Sequence, residues 1–274
     1  MAMARKRGKS YLQRVALGAN VRRDYFEIKG KKAEKIVHDL AIKSFLTDWC
    51  YPNPTLPTGR ELCDLLVVFD DVVVIWQIKD IKVNKDGLYN KKEVDKNLRQ
   101  LSGAQRQLFK LRTPIELRNP GRGKELFDPQ TIREIHLVSA LLGEGEEFFS
   151  FVENIKDRAV HVFTREFTQI VLNELDTITD FLQYLRAKEA VVSQNKRLTL
   201  IGGEEELLAY YLSNNRSFDK WENANTIVVD EGCWERFRNG EVYKAKKQAD
   251  RVSHFWDGIL RDSNKTFMRG NSNI

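Results

Sequence analysis

A chain of 274 residues with 42% hydrophobic content and a formal net charge of +6 can bury a full core, which excludes a disordered polypeptide and suits one large domain with a smaller appendage. No apolar run approaches the roughly 18 to 20 residues that span a bilayer. The basic start MAMARKRGKS lacks the apolar segment of a signal peptide, so a cytoplasmic protein without a membrane partner is expected.

The first 25 residues read as a basic arm. Residues 1 to 48 carry 12 Lys and Arg against 5 Asp and Glu, and residues 79 to 124 carry 13 against 5, so with +6 overall the rest of the chain is acidic. Two basic blocks of this kind suit a polyanion partner, nucleic acid in the first place. Two solvated basic surfaces are the plainer alternative.

From Lys32 to Phe45, Ala33, Ile36, Val37, Leu40 and Ala41 recur at helical spacing and predict a buried stripe, with Glu34 at its border. Pro52, Pro54, Pro57 and Gly59 then predict an irregular loop with at most a short strand near Trp49 to Tyr51.

In ELCDLLVVFDDVVVIWQIKD, Glu61 to Asp80, two β-branched runs, Leu65 to Phe69 and Val72 to Trp76, flank Asp70-Asp71 and predict an antiparallel hairpin. With a two-residue loop, Val67 faces Val74 and Asp64 falls opposite Gln77, while Lys79 lies diagonally on the same face. A three-residue loop would disperse the three. A carboxylate and an amide oxygen side by side can hold a hard divalent cation such as Mg²⁺. A lysine beside it can orient a water and stabilise charge on a phosphate. Glu34 is placed to complete the site from the helix. Strand ends and a helix residue that simply face water are the competing reading.

Lys91 to Lys110 predicts a second helix, with Val94, Leu98, Leu101 and Leu108 on a core face and Lys92, Lys96, Arg99, Arg106 and Lys110 on another, a row suited to phosphates. IREIHLVSALLG and HVFT read as strands, and Phe167 to Ala190 as one amphipathic helix. After residue 190, RLTLIGG, EEELLAYYL, NTIVV and a helix near Glu241 to Leu260 with Trp256 suggest a smaller α+β appendage with a flexible tail. The expected division is a basic arm at 1–25, a main domain at 26–190 and an accessory region at 191–274.

The order helix with Glu34, Asp64, hairpin, Gln77-Ile78-Lys79, helix resembles the PD-(D/E)XK nuclease superfamily, and within it the Mrr-like restriction endonucleases, whose third motif often reads QxK. The resemblance covers roughly residues 30 to 165. It implies an α/β, restriction-endonuclease-like mixed sheet flanked by helices and a Mg²⁺-dependent endonuclease that cleaves phosphodiester bonds in DNA, in restriction or antiviral defence. Mn²⁺ is the expected substitute ion. Catalytic roles would fall to Glu34, Asp64, Gln77 and Lys79, metal binding to Glu34, Asp64 and Gln77, and support to Gln100. Cys63 stands where the signature proline would precede the aspartate, and Gln77 replaces the acidic residue. That replacement keeps a second function open, a nucleic-acid-binding or scaffolding module that does not cleave. Self-association or a partner protein is compatible with either.

Other motifs carry less. GRGK, Gly121 to Lys124, lacks the spacing of a phosphate loop. His38, His136, His161 and His254 have no metal-ligand spacing and are expected as packed or surface imidazoles. Cys50, Cys63 and Cys233, odd in number and without a CxxC pair, suggest neither a disulfide framework nor a zinc site.

Overall fold

The computed structural model describes residues 32, 34–39, 41, 49–81, 85, 87–143, 152–155, 158–175, 177–193, 197–221 and 223–252. The expected basic arm, Ala33, Leu40, Phe45 and the tail with Trp256 lie outside them. The chain divides into two compact units, Met1–Glu189 and Ala190–Ile274. The protein is α/β, with a mixed sheet flanked by helices. None of the described helices is long and apolar enough to cross a membrane.

In the first unit the helical residues 34–39 bury Val37, but Ile36 is 40% exposed and does not join the expected buried stripe. Next come β1 (Cys50–Pro52), β2 (Leu65–Phe69) and β3 (Val72–Lys79). The two-residue connection closes because Asp70 adopts a left-handed φ of 52°, and β2 pairs with β3 in the register in which Val67 faces Val74. Helix α1 (Lys91–Lys110) is capped by the Asn90 side chain, which accepts from the Lys92 N–H at 3.1 Å.

Residues 115–127, left without an element in the sequence reading, form a hairpin of β4 (Ile115–Asn119) and β5 (Gly123–Phe127). The GRGK segment supplies the end of its turn and the start of β5. The Asn119 side chain accepts from the Gly121 and Arg122 N–H groups at 2.8 and 3.0 Å, and Gly123 takes a φ of 86° that a side chain would resist.

The sheet is completed by β6 (Glu134–Leu141), β7 (Val152–Ile155) and β8 (Arg158–Thr164), in the order β1-β2-β3-β6-β8-β7. β3, β6 and β8 run parallel, so α1 serves as the crossover between β3 and β6. Leu66, Val73, Ile75, Leu137 and Leu141 on one face belong to the same core as Val94, Leu98, Leu101 and Leu108 of α1. On the other face Trp76 stacks on Phe181 with ring centroids 5.7 Å apart and meets Phe163 edge-on at 5.8 Å.

The single helix expected from Phe167 to Ala190 is two helices, α2 (Arg165–Glu174) and α3 (Ile178–Ser193). Thr177 causes the restart: its hydroxyl accepts from the Asp180 N–H at 3.1 Å, as an N-cap does. The apolar periodicity survives the break, which is why the sequence alone reads through it.

The second unit joins β9 (Arg197–Leu200) through α4 (Glu204–Ser213) to a parallel β10 (Thr226–Val229), followed by α5 (Cys233–Asn239) and helical residues 241–252. Glu206 on α4 accepts from the N–H groups of Gly232 and Trp234 and so holds the start of α5.

Candidate active site

The hairpin register builds the site. Leu65 pairs with Trp76 at the end of the ladder; just beyond it the Asp64 N–H donates to the Trp76 carbonyl at 3.2 Å, and the Asp64 side chain meets that of Gln77. Asp64 is buried, at 6% exposure, although it lies at the strand end. Its Oδ2 accepts from Gln77 Nε2 at 2.6 Å and from the Ile78 backbone N–H. Both donors therefore converge on one oxygen.

The helical residues 34–39 reach the same point. His38 Nε2 donates to the Asp64 carbonyl at 2.9 Å, so the proton of this imidazole sits on Nε2. Burial pulls the His38 pKa down, against the effect of that bond. Glu34 is four residues earlier and on the same side of the helix, half-buried. The Asp64 carboxyl is pushed up to about 7, first by burial and then by the charges of Glu34 and Glu61, against the pull of the Ile78 N–H. The Glu61 side chain acts on it in the same direction. Neighbouring carboxyl groups disfavour the charged form of Asp64.

Lys79 is half-buried and shares its face with Gln77 by the two-residue strand period. Among the described residues no carboxylate forms an ion pair with it. Glu34, Asp64 and Gln77 are thus brought together, and Lys79 is on their side of the sheet.

The five basic residues of α1, Lys92, Lys96, Arg99, Arg106 and Lys110, are all exposed, roughly opposite its buried stripe at about 100° per residue. They form one outward row. Gln100, expected as support, is also exposed. The polar side chain that α1 sends to the sheet is Asn97, fully buried, whose Nδ2 donates to Ser139 Oγ at 2.8 Å. Ser139 is the neighbour of Gln77 across β3 and β6.

Glu61, His38 and Asn97 are absent from the site expected from sequence. His38 had a legible signal, its four-residue spacing from Glu34. Asn97 had one too, as a polar residue among the core positions of α1. Glu61 sits in an irregular loop whose only regular pairing is the bridge to Thr55, and nothing local marks it. In comparisons with protein-family models, with curated proteins and with solved structures, nothing matches this chain.

Proposed function

We propose that this chain is a divalent-metal-dependent nuclease of the PD-(D/E)XK type that hydrolyses phosphodiester bonds in DNA. The observation that carries the reading is the buried Asp64 carboxyl, held by Gln77 and Ile78 and pushed up to about 7 in the company of Glu34 and Glu61. The order of helix, Asp64, hairpin, Gln77-Ile78-Lys79 and crossover helix to a parallel strand supports it. A cytoplasmic setting and a role in restriction or antiviral defence belong to the same proposal.

The donor set fits Mg²⁺, with Mn²⁺ as a substitute. It consists of oxygens only, from Asp64, Glu34, Glu61 and the Gln77 amide, and a hard cation would offset the repulsion that Glu34 and Glu61 exert on the Asp64 carboxylate. Asp64, Glu34 and Gln77 would hold the ion. Bound there, it would supply Lewis-acid stabilisation of charge on the phosphate.

The chain's own residues do the rest. Gln77 and the Ile78 N–H orient the Asp64 carboxylate. His38 ties the Glu34 helix to the Asp64 backbone. Lys79 presents an ammonium that can align the attacking water and offset negative charge developing at phosphorus. The basic row on α1 supplies affinity without sequence choice.

The test is incubation of purified protein with plasmid, linear duplex, single-stranded DNA and RNA, each with Mg²⁺, Mn²⁺ or EDTA. Cleavage of DNA that needs metal and is lost in both Asp64→Ala and Lys79→Ala, with duplex binding retained, is expected. Asp64→Ala should also weaken Mg²⁺ binding, whereas Lys79→Ala should not. Wild-type protein that binds every substrate and cuts none would favour the non-cleaving module, for which Gln77 in place of an acid is the specific feature.

A further inference from the structure

Two of the widely spaced histidines meet on the sheet face opposite Asp64. The parallel pairing of β6 and β8 sets Val138 beside His161, and His136, two residues before Val138, projects to the same face. Helix α3 covers that face and brings Glu189. His136 and His161 are 1% and 0% exposed, while the Glu189 side chain keeps 28%.

Glu189 Oε1 lies 2.8 Å from His136 Nδ1 and 2.8 Å from His161 Nε2. His136 Nε2 lies 2.8 Å from Glu134 Oε1, and Arg186 grips that carboxylate with two bonds of 2.7 Å. A neutral imidazole has one N–H, yet His136 faces a carboxylate oxygen at each ring nitrogen. With the proton on Nε2 and directed to Glu134, the Nδ1 lone pair points at an anionic oxygen. Either a second proton makes a buried imidazolium, or a cation sits where Nδ1, His161 Nε2 and Glu189 Oε1 converge.

The second arrangement has the parts of a metal centre. The three candidate ligand atoms lie within 4.8 Å of one another. Two imidazole nitrogens and a carboxylate oxygen form a known zinc donor set that leaves a fourth position open. The Glu134–Arg186 pair fixes the His136 tautomer, as the outer partners of metal-bound histidines do. Nitrogen donors select Zn²⁺ over Mg²⁺. Arg186 and the buried Lys188 add positive charge nearby, which also disfavours an ion held by charge alone. Ligand atoms of a tetrahedral zinc site stand about 3.3 Å apart, so the 2.8 Å contacts must open by about half an ångström, which the partly exposed Glu189 can accommodate. His161 Nδ1 has no hydrogen-bond partner among the described residues and would carry the ring proton when Nε2 is a ligand.

We propose that His136, His161 and Glu189 bind a transition-metal cation of the Zn²⁺ class and so tie α3 to β6 and β8. This site is independent of the nuclease reading.

The experiment uses the full chain in an Asp64→Asn background, which removes the main oxygen ligand on the other face. Metal is stripped with a chelator, Zn²⁺ is titrated against a chromophoric competitor, and Co²⁺ is added as a spectroscopic probe. The expected result is one Zn²⁺ per chain, a melting temperature raised by Zn²⁺ but not by Mg²⁺, and visible Co²⁺ bands of tetrahedral intensity. Glu189→Gln and His161→Gln should lose the bands, and Glu134→Gln should weaken Zn²⁺ by roughly 10- to 100-fold. Glu189→Gln, at the rim, guards against a folding defect in His161→Gln. Absence of stoichiometric Zn²⁺ binding overturns the proposal and leaves the buried imidazolium. Binding equally tight in Glu189→Gln overturns it as well.

Discussion

Gln77 donates an amide N–H to the buried carboxylate of Asp64 across the β2–β3 hairpin, at 2.6 Å. An acid in place of Gln77 would set a second carboxylate against the first. The amide instead contributes a donor to Asp64 and keeps an oxygen for another partner. Even so, Glu34 and Glu61 work against the charged form of Asp64, and this effect can be measured.

In metal-free protein, Asp64→Asn should be stabilising. The folded carboxyl is raised to about 7 by burial and by Glu34 and Glu61, above its unfolded value near 4. The native state therefore holds a proton that the unfolded state releases between those values. Stability is fully present below about pH 4 and is lost as the pH rises toward about 7, by an amount on the order of a few kcal/mol. Asparagine keeps an acceptor for Gln77 and Ile78 and turns an N–H₂ toward the glutamates. Thermal melts in EDTA should place the variant above wild type at pH 8 and level with it at pH 4. A lower melting point at pH 8 would contradict the charge argument.

Gln77→Glu should strengthen the same effect. The new carboxylate replaces a donor to Asp64, so the metal-free variant should melt below wild type at pH 8, and Mg²⁺ should raise its melting temperature more than it raises that of wild type. Equal Mg²⁺ shifts in the two proteins would remove Gln77 from the metal's surroundings.

Asn97 and Gln100 should behave differently. Asn97→Ala leaves the buried Ser139 hydroxyl without its donor and should cost about 1–3 kcal/mol in denaturant unfolding, with reduced cleavage, since Ser139 flanks Gln77. Gln100→Ala alters an exposed position and should stay within about 0.5 kcal/mol of wild type. The reverse order would restore Gln100 as the supporting residue.

Charge reversal at Lys96 and Arg99 should weaken binding to DNA of any sequence. If both contact phosphate, the slope of log affinity against log salt should flatten by about 2. An unchanged slope would make the row on α1 a solvated face.

The sequence by itself determined what short-range periodicity encodes. A strand period of two and a two-residue connection leave a single register, which puts Gln77 and Lys79 on one face and brings the end of β2 beside Gln77, where Asp64 meets it. The apolar spacing of α1 likewise separates its core side from its basic side. Where the outcome depended on contacts distant in the chain, only the tertiary structure decided it. Glu61 reaches Asp64 from an irregular loop, Ile36 stays exposed because nothing covers it among the described residues, and Thr177 breaks a helix whose apolar spacing runs on. His136 and His161 are 25 positions apart, and no local pattern links them; they meet because β6 and β8 align in parallel and α3 lays Glu189 across both. Side-chain periodicity is written into each strand, but which strands become neighbours follows from burying the faces of the whole sheet at once.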